Sequence, residues 1–166
     1  MNRSILWRVA SLAVVTVALS SPGHAQTARQ TKVDGLINDY TAALDSGGPW
    51  HVSGAWSVSL QGDSGKGDFS AALGMVRSEN PVRAAHAHHV TLTDGDVTLL
   101  ANGYRITGDA VITSNGNLAG FSGSPVDIQV TGGNALAYSN VTLTFGGAAA
   151  AHFGDLPLHG VVMQRQ

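Results

Sequence analysis

Three histidines, His86, His88 and His89, crowd four positions of the stretch PVRAAHAHHVTLTDGD (81–96). If 86–92 is a strand, side chains alternate across the sheet. His86 and His88 then share a face with Val90 and Leu92, while His89 shares the other with Thr91 and Thr93. Two imidazoles on an apolar face are costly unless each finds a hydrogen-bond partner or both ligate an ion. His-x-His on a strand supplies two metal ligands because side chains at i and i+2 stand side by side.

Further donors come from AAAAHFGDLPLHGVV (148–162), which carries His152, Asp155 and His159. The four alanines before His152 leave room for a close approach. Glu79, the only glutamate in the chain, precedes the triplet. The expected metal ligands are His86, His88, His152 and His89. Glu79, Asp155 and His159 either complete the site or orient an imidazole from outside it. Imidazole-rich ligation without thiols suits zinc or copper, with iron and a carboxylate next. An open coordination position would polarise a small organic substrate, activate water or engage oxygen, leaving oxidoreductase, lyase and hydrolase chemistry unresolved. Against this stands the ordinary fate of a histidine, a satisfied core or surface group, and His51 is read that way.

Other chemistries fit worse. GFSGS (120–124) lacks the spacing and following helix of a nucleophile elbow and reads as a β-turn. QGDSGKGD (61–68) lacks the Gly-Lys-Ser/Thr ending of a phosphate loop and reads as a plain hairpin tip. One Glu and mostly turn-bound Asp offer no carboxylate pair for glycoside cleavage. The chain has no cysteine, so there is neither a thiol nucleophile nor a disulfide, and stability must come from packing, helped by any bound metal.

Residues 1–25 read as a cleaved secretory leader. Arg3 and Arg8 precede an apolar run over 9–19, Pro22-Gly23 breaks it, and Gly23 and Ala25 are the small residues a signal peptidase needs. The expected address is therefore periplasmic or secreted. Formal net charge is −2 before the two leader arginines are removed, which disfavours nucleic acid. No later run is long or apolar enough for a membrane helix, and the few aromatics disfavour the girdles of a membrane barrel. The expected partner is a small-molecule ligand or substrate; a second copy pairing at an edge strand is the other association open to such a chain.

The positioning elements follow from periodicity. Val33, Leu36, Ile37, Tyr40 and Leu44 fall at the three-four spacing of a helical face, so 26–48 is expected to be an N-terminal helical segment stopped by Gly47-Gly48-Pro49. After Pro49 the period becomes two. Apolar alternation at Trp56–Leu60, Phe69–Met75, Val90–Leu92, Val97–Leu99, Ile106–Ile112, Val126–Val130 and Val141–Phe145 gives about seven to nine strands. Asp94-Gly95, Asn102-Gly103, Asn115-Gly116 and Gly132-Gly133 are expected hairpin turns. The expected fold over 49–166 is all-β, a small antiparallel barrel or barrel-like sandwich, with the helix plugging or flanking one end. A metal-free alternative is a barrel that binds, cyclises or isomerises an apolar small molecule in a cavity lined by Trp56, Met75, Tyr104 and Phe145, its histidines serving as hydrogen-bond or acid-base groups.

Overall fold

The structure, a computed structural model, describes residues 31–42, 48–77, 85–115, 120–132 and 140–165. The proposed leader, Leu44 and Glu79 lie outside these residues. Eight antiparallel strands form a closed barrel in sequence order. They are β1 (Thr31–Tyr40), β2 (Trp50–Leu60), β3 (Lys66–Arg77), β4 (His86–Leu100), β5 (Gly103–Ser114), β6 (Phe121–Thr131), β7 (Asn140–Phe145) and β8 (Leu158–Arg165). One helix, α1 (Gly147–Phe153), interrupts the connection from β7 to β8. Closure comes from β1 pairing with β8, so the ladder of these strands has no open edge.

Period-two sequence becomes an inside and an outside. Val52, Trp56 and Val58 of β2, Phe69, Ala71, Leu73 and Met75 of β3, and Val126, Ile128 and Val130 of β6 are all buried inside the barrel. Serines and threonines such as Ser57, Ser59, Ser70 and Thr91 alternate with them. Side chains fill an eight-stranded barrel of this kind, and Trp56, Met75, Tyr104 and Phe145, the expected cavity lining, belong to that packed core.

Among the described residues the expected N-terminal helix is replaced by a strand: Thr31–Tyr40 is β1. Val33, Gly35 and Ile37 point inward, while Leu36 and Tyr40, placed on the same helical face by spacing, are exposed. Tertiary pairing overrides the local pattern. Gly35 faces Trp56 across β1 and β2, and a Cβ there would collide with the Trp56 indole and the Val161 carbonyl oxygen. The glycine that weakened the helix is what lets β1 lie against both neighbours.

Two turn assignments also change. Asn102 does turn between β4 and β5, with Leu100 paired to Gly103. Asp94 and Gly95, however, lie inside β4, where one extra residue bulges against both β3 and β5. Asp94 takes φ 54°, the positive φ that a hairpin turn would also have demanded. The bulge reverses the inward phase from Leu92 to Gly95 and Val97, while Leu99, near the far end of β4, is exposed. GFSGS is not an isolated turn either: Phe121–Thr131 is β6, with Gly123 at φ 63°. In 61–68, a 3₁₀ turn at Gly62–Ser64 and left-handed Gly65 form the expected hairpin tip.

Up-and-down order brings the β1–β2, β3–β4, β5–β6 and β7–β8 connections to one mouth of the barrel. α1 sits in the last of these and buries Ala149 and Phe153 against the end of the core. The close approach at Gly35 makes a specific prediction. Gly35→Ala should lower stability by at least about 2 kcal/mol through overpacking, whereas Gly74→Ala, whose Cβ meets only the Ser53 carbonyl at 3.6 Å, should change it by less than about 1 kcal/mol. Urea denaturation midpoints of the two variants check this; equal midpoints would contradict it.

Candidate metal centre

β4 begins at the mouth, and its pleat turns His86 and His88 inward, ahead of Val90 and Leu92 on the same face. His88 is 3% exposed and His86 is half-buried at the rim. The third imidazole arrives from α1. Phe153 stacks on Phe145 with ring centroids 4.1 Å apart, which fixes how the helix is rotated. His152, one residue earlier, consequently faces across the mouth toward β4.

The three rings converge. His152 Nε2 lies 3.1 Å from His86 Nε2 and 2.9 Å from His88 Nε2. One ligating nitrogen from each residue falls within 4.8 Å of the other two. Nitrogens bound at zinc distances in a tetrahedral site are separated by roughly 3.3 Å, so both His152 contacts are near a ligating spacing. Aromatic rings enclose it. Trp50 meets His86 edge-on at 4.8 Å, Phe153 meets His88 at 4.9 Å, and Phe121 lies 5.7 Å from His152. The Arg77 guanidinium covers the Trp50 ring at 4.9 Å.

Hydrogen bonding alone does not account for this contact. A neutral imidazole nitrogen carries either one N–H or one in-plane lone pair, so it serves one partner well. His152 Nε2 instead faces two nitrogens at hydrogen-bond distance. A cation among them would engage all three lone pairs at once. The electrostatics favour that state. Burial, followed by the neighbouring His152 and His86, pushes the His88 pKa down to about 4, and the Thr113 backbone only partly opposes this. Burial and His86 also lower His152. Both rings are therefore neutral at pH 7 with lone pairs free to ligate. His88 Nδ1 is buried near the Thr113 backbone without a hydrogen bond of good geometry, and it is the nitrogen left to carry the proton when Nε2 ligates.

The remaining expected residues separate from this group. His89 is on the opposite face of β4, exposed and paired in register with Ala72 and Thr113, so the alternation that brings in His86 and His88 carries it away. His159 is exposed on β8, its Nδ1 2.8 Å from Asp39 Oδ2. Burial acts to raise the Asp39 pKa, but hydrogen bonds from His159 and Tyr40 outweigh it and hold the carboxyl below its usual value. Asp155 is exposed beyond the end of α1 and is not one of the converging groups. His51, as expected, is satisfied elsewhere, with Nε2 2.6 Å from Asn38 Oδ1. Trp50 and Phe153 are site residues that alternation did not single out. Their signals were position: Trp50 follows the Pro49 break, and Phe153 adjoins His152.

Comparison with known proteins returns no match: no family model, curated protein or solved structure is similar to this chain.

The depressed histidine pKa values fix the sign of a pH effect. Below about pH 6.5 the unfolded chain takes up protons at this position, whereas folded His88 does so only near pH 4. Metal-free protein should therefore lose stability as pH falls from about 6.5 to about 4, with little further loss from this group below that. His88→Phe, which suits the surrounding aromatic rings, should flatten the fall. Thermal unfolding of both proteins between pH 7 and pH 4 checks it; parallel curves would contradict the assignment.

Proposed function

We propose that this protein is an exported metal-binding β-barrel that takes one zinc or copper ion through His86, His88 and His152. The observation that carries this reading is the approach of His152 Nε2 to two other imidazole nitrogens at 2.9 and 3.1 Å, in a buried setting that disfavours protonation of His88 and His152. Three imidazole nitrogens are a donor set that zinc and copper both accept. Three protein ligands also leave a fourth position for water or a small-molecule substrate, the arrangement by which a metal acts as a Lewis acid or activates water. Export rests on the leader-like residues 1–25, and the lack of cysteine removes thiolate as a competing ligand.

The metal-free alternative is less well supported, because the side chains expected to line its cavity are packed core. Protein purified without a histidine tag should bind close to one equivalent of zinc or copper by calorimetric titration. His86→Ala, His88→Ala and His152→Ala should each weaken binding by at least about tenfold, the scale on which metal sites respond even to loss of outer partners. His89→Ala and His159→Ala should leave it unchanged. Binding that survives all three ligand substitutions, or no binding by the unaltered chain, would refute the site.

A further inference from the structure

We propose that the ion, on the reading that it binds this trio, acts as a latch that holds α1 as a releasable plug in the barrel mouth. The ligands are divided unequally between a fixed element and a weakly held one. His86 and His88 stand on β4, which is hydrogen-bonded to β3 on one side and β5 on the other. His152 stands on α1, which has only seven residues and no side-chain cap at its start. A helix that short does not hold itself together in water.

Contacts of α1 are correspondingly few. It buries Ala149 and Phe153 and leaves Gly147, Ala148 and Ala151 exposed. Its boundaries are built to turn. Gly147 has φ 59° and Gly154 φ 89°, both in the region L side chains rarely adopt. Phe153 and His152 are therefore the principal attachments of the segment to the mouth. The first is an apolar contact with Phe145 and His88, and the second is the shared nitrogen contact. Coordination converts the second from a poorly satisfied polar contact into a bond to β4. Loss of the ion removes that bond and leaves the apolar contacts of Phe153 and Ala149, with the weaker imidazole contacts of His152, to hold the plug. Release of α1 uncovers an aromatic floor made by Phe145, Phe121 and His88.

Hydrogen exchange read by mass spectrometry on the tag-free chain, with zinc chloride as the probe, tests the latch. Where opening requires zinc to leave, exchange slows by the factor one plus the ratio of free zinc to its Kd. Amides of α1 and the Gly154 amide, which bonds to the Ala150 carbonyl, should thus exchange about 100-fold more slowly at zinc a hundredfold above Kd. Exchange in the middle of β2, β3 and β6 should change far less. In His152→Gln, which keeps both β4 ligands, zinc should leave α1 exchange at its metal-free rate. Unchanged α1 exchange in protein that calorimetry shows to hold one zinc would overturn the latch and leave the metal site standing. Equal slowing in His152→Gln would overturn it too, and failure to bind zinc at all would remove both readings.

Discussion

Pairing of β1 with β8 closes the sheet, and closure gives every inward residue a fixed neighbourhood. In an open sheet an inward polar side chain can shift toward an edge and reach water. In a closed barrel it has only two ways out, the mouths. His86 and His88 occupy the last inward positions before one mouth, so water reaches the outer ring in part and the inner ring hardly at all. That depth is the largest cause of the depressed pKa of the inner imidazole.

The β7–β8 connection then brings a third imidazole to the same place instead of leaving the pair to solvent. Its helix is placed by aromatic stacking, with the Phe145 and Phe153 rings 18° from parallel, and the histidine is carried along by the chain. Apolar packing is non-directional and tolerates adjustment, whereas ligation is directional. Using the first to deliver the second allows a site to form at a loop without a rigid loop scaffold. The aromatic rings also lower the local polarity, which disfavours protonated imidazole and leaves the nitrogen lone pairs exposed to one another.

Much of the barrel was legible in the sequence because alternation survives averaging. Runs such as Phe69–Met75 and Val126–Val130 have one physical explanation, a strand with one buried face. The inward phase of His86 and His88 followed from Val90 and Leu92 in the same way. The N-terminal strand was hidden because Val33 and Ile37 satisfy both a period of two and a spacing of four, and the residue between them that settles the matter, Gly35, has no side chain to count. Its partner Trp56 lies on another strand. Asp94-Gly95 was ambiguous for a similar reason, since turn and bulge share a positive φ and only neighbouring strands distinguish them. The alanine run before His152 has a high helix propensity, which composition alone does not distinguish from room for a close approach. His152 itself was legible as a donor type, whereas its convergence with β4 depends on closure and on Phe153, neither of which has a local signature.

The bulge in β4 has a consequence for how the strand tolerates change. It divides fifteen residues into two stretches whose side-chain phases are independent of each other. A one-residue insertion or deletion in an unbroken strand would turn every side chain beyond it inside out. Here the irregularity works as an expansion joint. The distal half, from Gly95 onward, packs Gly95 and Val97 inward on a phase of its own, and the half that carries the imidazoles keeps its orientation whatever that phase is.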